Sequence, residues 1–99
     1  MEIVWTEEAL EDLSTIYKYR EQPTAKRHIK KILSEVNTLR IFPEAGPVHL
    51  TPNTKKEFRA LVVAKGMYKA AYYLDLKTNN VVVMRIFDCR QDPENLKLK

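Results

Sequence analysis

The chain has 99 residues, enough for one domain with a single modest core and too few for two. Hydrophobic residues make up 44% and charged residues 30%, which excludes an intrinsically disordered chain. The net charge of +4 favours an acidic partner, nucleic acid or protein, and a lone cysteine, Cys89, excludes an internal disulfide and fits a reducing compartment. His28 and His49 are far from Cys89 in sequence, so metal-ligand spacing is absent and neither metal nor cofactor is expected. No apolar run approaches membrane-spanning length and no signal peptide precedes Trp5, so the expectation is a cytoplasmic domain with no membrane contact.

Glu2-Ile3-Val4-Trp5 reads as a short strand with Ile3 and Trp5 turned to the core. Thr6 is a suitable N-cap, and Glu7 and Glu8 suit the positive end of a helix dipole. Ala9, Leu10, Leu13, Ile16 and Tyr17 step by three and four, predicting an amphipathic helix from about Glu7 to Arg20, with Glu11, Asp12 and Lys18 on its solvated side. Pro23 suits the first turn of a second helix, whose apolar face is Ala25, Ile29, Ile32, Leu33, Val36 and Leu39. Its other side is basic, with Lys26, Arg27, Lys30 and Lys31: either a solvated face or a patch for nucleic acid or an acidic segment.

Pro43, Gly46 and Pro47 mark a turn-rich crossover, and a loop is expected to run on to about Lys56, with His49 inside it. A loop histidine has the right pKa for proton transfer but is more often plain surface. From Lys55 to Arg90 the chain reads as a meander of three strands with turns at Lys65-Gly66 and Lys77-Thr78-Asn79-Asn80. Parity gives each strand one uncharged face: Phe58, Ala60, Val62 and Ala64, then Tyr68, Ala70, Tyr72 and Leu74, then Val82, Met84 and Ile86. Arg59, Lys69, Asp75 and Arg85 fall on the opposite face. From about residue 88 the tail is polar.

The order is β-α-α-β-β-β, an α+β domain over residues 1–99. An N-terminal helical hairpin covers the uncharged face of an antiparallel sheet of about four strands, with the first strand paired antiparallel to the next. The other face, bearing arginines, is open to a ligand or partner.

The opening Ile3-Val4-Trp5-Thr6 with Ala9 and Asp12-Leu13 resembles the RelE/ParE superfamily of bacterial type II toxin–antitoxin toxins, once called plasmid stabilisation proteins. So do the Leu39…Pro43…Gly46 crossover, Phe58-Arg59-Ala60-Leu61-Val62-Val63, Tyr72-Tyr73 and Val83-Met84-Arg85-Ile86…Arg90. The resemblance spans roughly Ile3 to Pro93. It implies a growth-inhibiting toxin neutralised by a cognate antitoxin in a hetero-oligomer, with operator DNA bound only through the antitoxin. The RelE-like branch cleaves mRNA on the ribosome without a metal; the ParE-like branch acts on DNA gyrase and has no hydrolytic site.

For ribonuclease chemistry the resemblance puts forward Lys56, Arg59 and Arg85 as catalytic cations, with Arg59 and Arg85 converging on the open face to hold a phosphate. For target or antitoxin binding it puts forward Lys55, Lys56, Arg59, Tyr73, Arg85 and Arg90. The alternative for the arginines is ion pairing with Asp75, Asp88 or the antitoxin. The last strand ends Phe87-Asp88-Cys89-Arg90 and lacks the histidine or tyrosine with which nuclease members finish, and no base is evident for Cys89. The pattern is therefore closer to the ParE-like branch. An mRNA endonuclease and an inactive co-repressor module are the alternatives.

Overall fold

The computed structural model describes residues 1–19, 22–51 and 54–90, and for residues 22, 50, 51 and 54–56 the backbone alone. The strand β1 (Glu2–Trp5) leads into α1 (Glu7–Tyr19), and α2 (Gln22–Asn37) tightens into a 3-10 turn over Thr38–Arg40. Four strands follow: β2 (Val48–Thr51), β3 (Thr54–Val63), β4 (Tyr68–Asp75) and β5 (Asn80–Asp88). They form one sheet in the order β1-β5-β4-β3-β2.

Local chemistry sets the helix start. Thr6 Oγ1 accepts a hydrogen bond from Ala9 N at 3.2 Å, and Glu7 and Glu8 occupy the first turn of α1. Ala9 and Leu13 of α1 and Ile32, Val36 and Leu39 of the second helical segment enter the core, with Ile16 and Ile29 packed against it. Leu10 and Leu33 do not: they are 52% and 43% exposed. Each directly follows a buried residue, and one step along a helix turns the side chain by about 100°.

The helices cover one face of the sheet, as expected of an α+β domain, but the sheet has five strands and is mixed. β1 pairs with β5 in parallel, not antiparallel with the strand that follows the helices. The extra strand is β2, inside the segment expected to be a loop, and it pairs antiparallel with β3. The two departures have one origin. Each hairpin reverses the chain, so one unforeseen strand reverses the direction of the last strand relative to β1. His49 consequently lies on a strand, and its ring stacks on Phe58 with centroids 5.5 Å apart.

On the covered face β4 contributes the fully buried Tyr68, Ala70 and Tyr72. Ile3 and Trp5 of β1 pack against the same core, as their parity predicts. The expected faces of β3 and β5 need correction. Leu61 and Val63 pair with Ala70 and Tyr68, so they, not Phe58, Ala60 and Val62, look towards the helices. From Phe58 on, both parities of this strand are largely apolar, so the pattern alone did not decide its face. Ala64 is buried without following the alternation, because its φ of 53° takes it out of the strand and into the turn. In β5 a bulge intervenes: Ala71 pairs with Arg85 while the next residue, Tyr72, pairs with Val83. Met84 is the extra residue, and the inward set becomes Val81, Val83 and Ile86. Asn79 adopts the left-handed conformation foreseen for the preceding turn, with φ 59°.

Candidate functional site

Arg59 and Arg85 do not converge. Arg59 pairs with Tyr72 and Arg85 with Ala71. Tyr72 and Ala71 are consecutive on β4, so the two arginines stand on opposite faces of the sheet. Each is also committed to a structural partner.

Arg59 lies at the margin of the covered face, beneath the crossover that joins the helices to β2. Its Nη1 donates to the carbonyls of Gly46 at 2.9 Å and Glu44 at 3.2 Å. Tyr72 secures the same crossover: its hydroxyl donates to Pro43 O at 2.8 Å and accepts from Gly46 N at 2.9 Å. Burial pushes the Tyr72 pKa above its ordinary 10.0, opposed by the Gly46 N–H and by the charge of Arg59. Glycine is needed at position 46 for space, since a Cβ there would stand 2.8 Å from Ala60 O and 3.0 Å from the Tyr72 hydroxyl. Position 59 therefore reads as an anchor for a backbone that must pass close to β3.

Arg85 is held by Asp12 of α1 through two hydrogen bonds, Nε to Oδ2 at 2.9 Å and Nη2 to Oδ1 at 3.1 Å. That hydrogen bonding raises the guanidinium pKa above its ordinary value. Asp12 Oδ2 also accepts from Ile86 N at 2.8 Å. The reason is topological. β1 pairs with β5 only through Val83, and beyond it the edge of β5 has lost its ladder partner. Thr6 meets the bulge there, its hydroxyl oxygen lying 2.8 Å from Val83 O and 3.0 Å from Met84 O with one proton to share between them, and Asp12 takes the next N–H. Asp12 is thus no solvated residue. Its place three after Ala9 and four before Ile16 puts it on the buried stripe, and that spacing is the signal in the sequence.

The second face of the sheet carries Ala60, Ala71 and Arg85 in one row, Val62, Lys69 and Phe87 in another, and Val4, Val82 and Tyr73 in a third. The guanidinium of Arg85 lies 5.5 Å from the Phe87 ring centroid. Val62 is 54% exposed, and Tyr73 and Val4 are also open to solvent. The face therefore offers an aromatic and aliphatic surface with a held arginine on it.

Arg90 folds back on Asp88, with its Nη2 3.2 Å from Oδ2. The side chains of Lys55 and Lys56 lie outside the described residues. Cys89 is half-buried; burial raises its thiol pKa, Lys69 opposes the shift and Asp88 adds to it, so the thiol is poorly suited to act as a nucleophile. Among the described residues no three His, Cys, Asp or Glu side chains gather as a metal ion would require, and no helix is long and apolar enough to cross a membrane.

A family model for the ParE toxin of the type II toxin–antitoxin system parDE matches residues 3–93. No curated protein matches the chain. Among solved structures, the chromosomal ParDE system from P. aeruginosa aligns with a TM-score of 0.72 at 21% identity, covering 89% of this chain and 95% of that one. The toxin–antitoxin complex RelBE2 from Mycobacterium tuberculosis aligns with a TM-score of 0.56 at 15% identity, covering 88% and 95%. Both share the fold of two helices on a sheet. With nearly its whole length matched by the family model, the chain belongs to the ParE toxin family of type II toxin–antitoxin modules.

Proposed function

We propose that this toxin inhibits growth through a ParE-like action on DNA gyrase, as a protein that binds its target and carries no hydrolytic site. The observation that carries this reading is the separation of Arg59 from Arg85. Cleavage of RNA by its own 2′-hydroxyl needs cations gathered on one phosphate and a group to move the proton. Here the two arginines occupy opposite faces and hold carbonyls and a carboxylate. The Tyr72 hydroxyl is engaged in the crossover, and β5 has neither histidine nor tyrosine.

A cognate antitoxin is the partner we propose, lying across the second face where Val4, Val62 and Tyr73 are exposed and Arg85 and Arg90 can meet acidic residues. Both solved relatives are toxin–antitoxin systems, which supports this. Operator DNA would then be read by the antitoxin.

The test is a gyrase supercoiling assay with purified toxin, run beside primer extension on translated mRNA. Inhibited supercoiling with no new RNA ends is expected. New RNA ends with supercoiling intact would overturn the reading in favour of a ribonuclease. Silence in both, with no growth defect on expression without the antitoxin, would mark an inactive module.

A further inference from the structure

At the margin of the core, α2 and the β3–β4 turn flank an open cleft of about 630 Å³ lined by Arg27, His28, Lys30, Lys31, Ser34, Ala64, Lys65 and Met67. Four of these residues are cations and none is acidic. We infer that this cleft binds the phosphodiester backbone of a nucleic acid directly, a contact of the toxin's own that does not pass through the antitoxin and does not depend on which target the toxin acts upon.

The first support is that the arrangement works against the helix that carries it. Lys26 and Lys30, and Arg27 and Lys31, are like charges four residues apart, and Arg27 and Lys30 are three apart. Such pairs repel across one turn. No acidic residue occupies the first turn of α2, where a carboxylate would favour the dipole. Of the lining cations, Lys31 has a carboxylate neighbour in Glu35 at 3.6 Å, and Glu35 is also the acceptor for Ala64 N at 2.7 Å. Glu35 thereby fixes the turn that presents Lys65 opposite the helix. Cations gathered against local stability, in one concave site, point to an anion that repays them on binding.

The second support is the remaining lining. Apart from the methylene stems of its cations, the cleft's apolar lining is Ala64, Met67 and the ring of His28, which stands edge-on to Tyr68 with centroids 5.7 Å apart. A protein segment would want a large apolar anchor such as Leu, Phe or Trp, and of the rings on which a base stacks His28 alone is in the lining. Phosphates need only charge and donors, which Ser34, the lysines and the arginine supply. The contact should therefore be indifferent to sequence.

Fluorescence polarisation of the purified chain with a labelled 20-base-pair duplex DNA and with a single-stranded RNA of equal length tests this. Four neutralised phosphates give a slope of log K against log salt of about −3.6 on duplex and about −2.8 on single strands. Affinity should then fall about 150-fold and about 50-fold between 50 and 200 mM salt. The Arg27→Gln/Lys30→Gln variant should lose about 1.8 and 1.4 of those slopes. It should also melt roughly 2–12 °C higher, because three like-charge pairs are relieved. The variant Lys18→Gln/Lys77→Gln, with the same change in net charge, should keep both slope and affinity. Whichever nucleic acid binds more tightly identifies the source of the phosphate. Equal losses in the two variants, no binding at 50 mM salt, or a lower melting point for Arg27→Gln/Lys30→Gln would overturn the inference. So would tighter binding of an oligoglutamate peptide, which would assign the cleft to an acidic protein segment.

Discussion

Tyr72→Phe isolates one atom on which the crossover depends. The ring is fully buried, and its hydroxyl serves Gly46 N and Pro43 O at once. Phenylalanine fills the same space, so no cavity term arises, and the loss is that of the hydrogen bonds. Gly46 is buried, and its N–H would be left without an acceptor, at about 1–3 kcal/mol for an orphaned buried donor. Pro43 is half-buried, so its carbonyl can recover water and adds less. The sum is about 2 kcal/mol, which for a domain of this size lowers Tm by about 8–16 °C. Urea unfolding followed by circular dichroism should show a lower midpoint with an unchanged slope, while Tyr73→Phe, on the open face, stays within about 0.5 kcal/mol of wild type. The pH dependence has a definite sign. The folded Tyr72 pKa is raised, so its contribution to stability is complete below pH 10.0, the ordinary value, and is lost as pH rises through the folded value. Tyr72→Phe should lack that alkaline component. A Tyr72→Phe variant as stable as wild type at neutral pH, with the same alkaline limb, would refute the role given to the hydroxyl.

Gly46→Ala should destabilise by a further route, since its Cβ meets the Ala60 carbonyl at 2.8 Å and the backbone must shift; we expect a loss of about 1–3 kcal/mol, and a melting curve superimposable on wild type would contradict it. Ile32→Asp should abolish the folded circular-dichroism signal while Leu33→Asp, one residue on, leaves it intact, because the first is fully buried and the second is 43% exposed; similar effects in both would mean that the helix faces are misassigned. Asp12→Ala removes the partner of Arg85 and the acceptor for Ile86 N together, for a loss of about 2–3 kcal/mol measured by urea unfolding, and Asp12→Ala/Arg85→Ala should recover part of it; a double variant as unstable as the sum of the two single ones would rule out coupling between the pair. Alkylation of Cys89 by iodoacetamide at pH 8 should run slower than for a cysteine in an unstructured peptide, because the raised pKa lowers the thiolate fraction; an equal or faster rate would count against the buried setting.

What could be read from the residues alone was whatever depends on local period and local chemistry. The stepping of Ala9, Leu13 and Ile16 after the Thr6 cap gave α1, and the alternation of Tyr68, Ala70, Tyr72 and Leu74 gave the covered face of β4, because one parity of that strand is clearly more polar than the other. From Phe58 to Val63 β3 has no such asymmetry, and the one charge there, Arg59, pointed the wrong way. Arg59 could sit on the covered face only because the crossover supplies carbonyls to receive it, a long-range fact that no alternation encodes. In β5 the bulge at Met84 broke the parity in mid-strand, and the hydroxyl that meets it belongs to Thr6, nearly the whole chain away. The short β2 was hidden by the prolines and polar residues that surround it, and its omission also reversed the sense in which β5 meets β1.

The same long-range contacts change which positive charges are free to act. By sequence, the arginines of the meander look like the toxin's working cations, and the lysines of α2 look like an ordinary solvated face. In the fold the order is reversed. Arg59 satisfies two carbonyls of the crossover, Arg85 is clasped by the carboxylate that seals the β5 edge, and Arg90 turns back on Asp88. Arg59 serves backbone carbonyls directly and Arg85 braces the carboxylate that accepts from Ile86 N, and such tasks gather at the margins of a small sheet, where strands end unevenly. Among the described residues Arg27 and Lys30 of α2 have no such duty to the backbone, while Lys31 pairs with the side chain of Glu35. They repel one another along the helix, and Lys65 is brought towards them by a turn that Glu35 fixes. A charge that the fold does not employ, held where it weakens the fold, is the better candidate for binding something outside it. The arginines most visible in the sequence are the toxin's fasteners, and a fold-preserving loss of nucleic-acid binding should follow from substitutions in α2 before it follows from any in the meander.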